Sequence, residues 1–182
     1  LSNNANTNII DINAGATEIY LRDFSIDGNK ANQSGGGDGI AVGSGSNRCK
    51  IEHIYIHDTY DDGIYANASN DLEIRTCRIK EPGGDGIEIN NSDRIYIGEA
   101  VIIDNPTSDG ISVTGGSDDY RIIANKINDT AGDNSSAIHV TSGANGNISK
   151  NRITDTDDTA ADVNGIYVQN GGAYCNTLIE GN

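Results

Sequence analysis

Asp38-Gly39-Ile40-Ala41-Val42 is followed 24 residues later by Asp62-Gly63-Ile64-Tyr65-Ala66. The pattern returns at Asp85-Gly86-Ile87-Glu88-Ile89 and Asp109-Gly110-Ile111-Ser112-Val113, then in degenerate form at Ser136-Ala137-Ile138 and Asn164-Gly165-Ile166. Successive spacings are 24, 23, 24, 27 and 28 residues. Each copy alternates apolar and polar residues over a few positions between turn formers, which is the signature of a short strand. A second element recurs in every unit with apolar ends: Leu21 to Ile26, Ile51 to Ile56, Ile74 to Ile79, Ile97 to Ile102, Ile122 to Ile127 and Ile148 to Ile153. No segment of helical length separates the strands. A unit of this size with two or three short strands is one turn of a solenoid, in which each coil pairs with the next. Parallel crossovers are right-handed, so the coil is expected to be right-handed too.

The fold expectation is therefore all-β: a single right-handed parallel β-helix domain over residues 1–182. About seven coils at roughly 4.8 Å each give a rod on the order of 35 Å long. Ile40, Ile64, Ile87, Ile111, Ile138 and Ile166 should stack in one column. The middle position of the second element reads Phe24, Ile54, Cys77, Ala100, Asn125, Asn151, so the two asparagines should begin an inward ladder. Cys77 shares that column and is expected to be a core thiol. Cys49 aligns with Leu72 instead, too far aside to bridge to Cys77.

Composition agrees. The chain holds 27 Ile, 23 Gly and 23 Asn against four Leu, one Phe and no Met or Trp. β-branched residues and turn formers dominate, and helix formers are scarce. With 27 acids against 12 bases the net charge is −15, which argues against nucleic acid as a partner, since phosphate binding needs clustered Lys and Arg. No apolar run has the length of a membrane-spanning helix, so membrane insertion is not expected.

The Asp-Gly-Ile-x-Val and Ile-x-x-Asn-x-Ile repeats resemble those of the pectate-lyase-like right-handed parallel β-helix superfamily, over roughly residues 9–182. Leu21-Arg-Asp-Phe-Ser-Ile-Asp-Gly-Asn29 is similar to the first coil of many such proteins. The resemblance implies an extracellular or cell-surface protein that acts on or binds polysaccharide. Part of the chain is also similar to the polygalacturonase-type hydrolases. Asp38-Gly39 and Asp61-Asp62-Gly63 resemble two of their site coils. Pro82-Gly83-Gly84-Asp85-Gly86 resembles a third, but with Asp85 where those enzymes carry His. Ser112-Val113-Thr114 stands where their basic pair belongs, so the residues that grip an anionic sugar are missing.

This resemblance implies Asp38, Asp61 and Asp62 as acid–base residues. An inverting glycosidase needs one carboxylic acid to protonate the leaving oxygen and one carboxylate, several ångströms away, to activate water. Stacked aspartates repel, which raises one pKa and supplies the acid. The competing reading is that an Asp recurring in four successive coils is a turn residue that binds backbone amides. A second candidate surface is the outward stripe Ala41, Tyr65, Glu88, Ser112, His139, Tyr167, in which Tyr65, Glu88, His139 and Tyr167, with Asp85 beside them, would contact an extended glycan. His57 beside Asp58 forms a further candidate acid–base pair. Asp155, Asp157, Asp158 and Asp162 place four carboxylates in one loop, a hard-oxygen set suited to Ca²⁺.

Two functions stand at this point: a polysaccharide-cleaving enzyme, hydrolase or lyase-like, and a non-catalytic solenoid that binds glycan or spaces other modules. An uncovered terminal coil carrying Ile166, Val168 and Ile179 adds the expectation of end-to-end self-association.

Overall fold

The computed structural model describes residues 5–141, 143, 145–154, 163–169 and 177–182. Among these the only helical element is a single 3₁₀ turn, Lys30–Asn32, and every strand pairing is parallel. The repeated Asp-Gly-Ile strands build one sheet of seven: Ile10–Ile12, Ile40–Val42, Ile64–Asn67, Ile87–Asn90, Ile111–Thr114, Ser136–Thr141 and Asn164–Gln169. Ile10, Ile40, Ile64, Ile87, Ile111, Ile138 and Ile166 meet register to register, which is the expected column. The apolar residues of this sheet face the interior and join those of the second sheet in one core.

The second sheet starts with two long strands, Tyr20–Asp27 and Lys50–His57. In later coils the same path is split into pairs, such as Glu73–Arg75 with Arg78–Lys80, and Arg121–Ile123 with Lys126–Asn128. The corner between the halves is turned by one residue in left-handed conformation: Thr76 (φ 50°), Ala124 (φ 58°) and Lys150 (φ 57°). In one coil two consecutive residues, Glu99 and Ala100 (φ 57° and 67°), occupy that corner. This extra residue overturns part of the expected alignment. Arg78 pairs with Ile102 and Ile79 with Ile103, so Val101, not Ala100, sits in line with Cys77. Ile103 and Val101 are fully buried and Ala100 is exposed.

The glycine of the repeat has a packing reason. A Cβ on Gly63 would lie 2.6 Å from the Gly86 carbonyl oxygen and 2.5 Å from Ile79 Cγ2, so only hydrogen fits between the coils. The asparagine ladder is present and extends to Asn182. Asn125 Nδ2 donates to Asn151 Oδ1 (3.1 Å) and Asn151 Nδ2 to Asn182 Oδ1 (3.0 Å). Each also donates to the main chain of the coil before, at Ile97 O and Ile122 O. Cys77 occupies the same slot and aims its thiol at the corresponding carbonyl, Ile51 O, at 3.6 Å. Cys49 and Cys77 are free and buried, and burial pushes the Cys77 thiol up to about 11. A buried serine column was not foreseen: the Ser69 and Ser92 amides donate to the hydroxyls of Ser92 and Ser117.

Candidate functional site

The aspartates of the repeat sit at the edge of the first sheet, where each strand begins. There the first carboxylate oxygen of one coil accepts the backbone N–H of the next. Asp38 Oδ1 takes the Asp62 amide (3.2 Å), Asp62 Oδ1 the Asp85 amide (2.7 Å), Asp85 Oδ1 the Asp109 amide (2.8 Å) and Asp109 Oδ1 the Ser136 amide (2.6 Å). Asn8 begins the series by accepting from the Asp38 amide at 2.8 Å. The turn-residue reading thus describes what these aspartates do for the fold.

It does not exhaust them, because the ladder is the floor of a pocket. Asp38, Asp61, Asp62, Tyr65, Asp85 and Glu88, with Gly84 and Ser108, line an open cavity of about 440 Å³. Six of the sequence-derived site residues therefore converge, drawn from three successive coils. One oxygen each of Asp38, Asp61 and Asp62 lie within 4.8 Å of one another, as do one each of Asp62, Asp85 and Glu88. Asp62 and Asp85 are 7% and 8% exposed, whereas Asp61 is exposed.

Burial and crowding shift these groups. Burial pushes the Asp62 carboxyl up, to about 9; the charge of Asp85 adds to this, and the hydrogen bond from the Asp85 amide opposes it. Burial raises Asp38 to about 6 against the opposing Asp62 hydrogen bond, with the charges of Asp61 and Glu88 adding. Asp85 also rises to about 6, chiefly through burial, with a Ser108 hydrogen bond working the other way. Tyr65 is raised as well, by burial and then by Glu88. A site with one carboxyl, Asp62, held protonated at neutral pH beside an exposed Asp61 has the parts for acid–base chemistry.

The remaining stripe residues lie elsewhere. Tyr65, Glu88, Ser112, His139 and Tyr167 pair in register along the first sheet, so His139 stands two coils beyond Glu88, on the order of 10 Å away. His139 Nδ1 lies 2.7 Å from Asp109 Oδ2, and its Nε2 is buried with no hydrogen-bond partner among the described residues. Tyr167 meets the imidazole edge-on at 5.2 Å. Sequence reasoning had His139 and Tyr167 but not Asp109 as the orienting partner. Column alignment gives no sign of this pair, because Asp109 and His139 belong to different columns of adjacent coils.

On the far side, His57 Nδ1 meets Asp58 Oδ2 at 2.8 Å, and Asp27 completes a group of three possible metal ligands. Asp155, Asp157, Asp158 and Asp162, the expected Ca²⁺ set, lie outside the described residues.

A solenoid of parallel strands stacked with an asparagine ladder and an acid ladder is a parallel β-helix. The family model for the right handed beta helix region matches residues 2–127, and the chain belongs to this family. Among solved structures, the A-modules of the Azotobacter vinelandii mannuronan C-5 epimerases AlgE4 and AlgE6 are similar. The AlgE4 module is 14% identical with a TM-score of 0.32, the match covering 96% of this chain and 78% of that one. The AlgE6 module is 13% identical with a TM-score of 0.42, the match covering 96% and 76%. No curated protein sequence is matched.

Proposed function

We propose that the protein cleaves a polysaccharide by paired-carboxylate acid–base chemistry in the pocket of the first sheet. The observation that carries this reading is the convergence of Asp38, Asp61, Asp62, Asp85 and Glu88 on one cavity, with carboxyls that stay protonated well above their ordinary range. In this reading Asp62 is the general acid, and Asp61, exposed beside it, is the attacking group. Tyr65 and Glu88 position the sugar.

Their spacing favours one stereochemical course. Carboxyl oxygens within 4.8 Å leave no room for the intervening water of an inverting enzyme, so double displacement with retention fits better. The test is a panel of polysaccharides, with new reducing ends and unsaturated-uronide absorbance recorded together. Reducing ends alone, lost in Asp62→Asn and Asp61→Asn and carrying retained anomeric configuration, are the expected result. Absorbance accompanying the reducing ends would replace hydrolysis by a lyase reaction. Neither signal on any glycan would overturn the enzymatic reading.

One observation favours a second, non-catalytic reading: every repeat aspartate already accepts a backbone amide, so the fold alone accounts for its presence. In that case the pocket and the His139–Tyr167 segment serve as a glycan-docking stripe. Glycan binding without turnover, unaffected by Asp62→Asn, is the outcome that selects it.

A further inference from the structure

Charge is segregated around the rod. The seven strands of the first sheet contain no lysine and no arginine, so all 12 basic residues of the chain lie elsewhere. On the second sheet and its corners, acids have cations of the same chain beside them: Asp104 has Arg78 at 2.9 Å, and Asp71 has Arg94 at 2.6 Å. In the pocket the charged lining is acidic throughout, Asp38, Asp61, Asp62, Asp85 and Glu88, with no basic residue among the lining side chains. Asp62, 7% exposed and lining the cavity, accepts the Asp85 amide N–H at Oδ1, and its Oδ2 has no hydrogen-bond partner among the described residues. A buried carboxyl with an unmatched oxygen, crowded by others, is favoured by any ligand that brings a cation or a donor. It is disfavoured by a ligand that brings another carboxylate.

Resting on the reading of this pocket as a glycan site, we propose that the glycan is an aminopolysaccharide, whose ammonium groups supply the positive charge the first sheet lacks. Tyr65 offers an aromatic ring within the pocket. Alongside runs a second in-register column, Asn67, Asn90 and Thr114, suited to sugar hydroxyls. The coil spacing of about 4.8 Å repeats these partners along an extended chain. A uronide polymer, by contrast, would bring further carboxylates to a pocket whose lining holds no arginine or lysine to bridge them.

The test is calorimetric titration of the whole chain at pH about 6 and low salt, with a glucosamine hexamer, its fully N-acetylated counterpart and a galacturonate hexamer. The glucosamine hexamer should bind, weaken as salt rises, and bind about tenfold more weakly to Glu88→Gln and to Asp61→Asn. Acetylation, which removes the charge but keeps the ring, should also lower affinity about tenfold or more. Equal or tighter binding of the galacturonate hexamer, with or without added Ca²⁺, would overturn the proposal, as would indifference to acetylation. A lysine hexapeptide binding as tightly as the glucosamine hexamer would overturn it too, because the face would then attract any polycation. The two proposals fail separately. Glucosamine binding without new reducing ends removes hydrolysis and keeps the substrate class, whereas cleavage of a neutral or acidic glycan does the reverse.

Discussion

The rod carries two ladders of side chains that do the same mechanical task in opposite surroundings. Inside the second sheet, Asn125, Asn151 and Asn182 link coil to coil with neutral amides; Asn125 and Asn151 donate both forward and back, and Asn182 donates back to Ile148 O. At the edge of the first sheet, Asp38, Asp62, Asp85 and Asp109 link successive coils, mostly earlier ones, by accepting one main-chain N–H each. An amide has both donors and an acceptor, so a buried column of them satisfies itself. A carboxylate can only accept, and a column of carboxylates accumulates charge that nothing in the ladder neutralises. The difference shows in the carboxyls: burial, with crowding adding to it, pushes Asp62 up to about 9 and Asp38 and Asp85 up to about 6. The neutral ladder is a fastening only. The acidic one is a fastening that also leaves reactive or binding groups on the surface.

If the amide ladder is purely structural, its removal should give the largest loss of stability. Asn151 is 2% exposed and accepts from both the amide and the Nδ2 of Asn125 while donating to Ile122 O and Asn182 Oδ1. Asn151→Leu strands these partners in an apolar interior and should cost about 3 kcal/mol in urea unfolding. A cost below about 1 kcal/mol would mean that the stacked coils hold without the ladder.

The acid ladder should respond to substitution in a way that separates its two roles. Asp62→Ala removes the acceptor of the Asp85 amide and should cost about 1–2 kcal/mol at pH about 2, where the carboxyl is neutral in both states. Asp62→Asn keeps a carbonyl oxygen in that place and should unfold like the wild type at the same pH. An Asn variant as unstable as the Ala variant would show that the geometry, not only the acceptor, depends on the carboxyl.

The pH profile sharpens the contrast further. Asp62 has a folded pKa of about 9 against a reference of 3.8, so the native state binds the extra proton between those values. Stability is therefore fullest below pH 4 as far as this group is concerned and declines as pH rises towards 9, by an amount on the order of 1 kcal/mol or more. Asp38 and Asp85 add a decline of the same sign between pH 4 and 6. In Asp62→Asn the slope between pH 6 and 9 should flatten, making the variant more stable than the wild type at pH 9. A wild-type curve that rises over that range would remove the case for a crowded, protonated pocket.

The fold was legible because solenoid geometry repeats: one Asp-Gly-Ile per coil announces strand, turn and core column together. The pocket was partly legible for the same reason, since Asp38, Asp62 and Asp85 fall at the same position in successive coils, and coils at a fixed spacing must bring them together. What repeated letters cannot convey is a slip. Ile102 and Ile103 are adjacent, so either one satisfies the apolar pattern, and only main-chain closure at Glu99–Ala100 decides that Ile103 points inward. The His139–Asp109 pair was hidden differently. Its members belong to two different columns, and alignment by column does not show contacts between columns.

The amide ladder stops where the column passes to valine, which allows one last and smallest effect to be stated. Asn125 Oδ1 is buried with no partner, while its equivalent in the next coil, Asn151 Oδ1, accepts from two nitrogens of Asn125. The residue in line before Asn125 is Val101, fully buried and without a side-chain donor. An amide placed in an apolar core ordinarily costs several kcal/mol, on the order of 2 or more. At position 101 the new Nδ2 would have two waiting acceptors, Asn125 Oδ1 and, by analogy with Ile97 O for Asn125, the Ile74 carbonyl of the coil before. Val101→Asn should therefore stay within about 1 kcal/mol of the wild type. Val101→Thr, which is closer to valine in shape but unable to span to both acceptors, should be no better. A loss of about 3 kcal/mol or more for Val101→Asn would show that the extra residue at Glu99–Ala100 has moved this coil out of ladder register altogether, and that the amide column can begin only after the insertion.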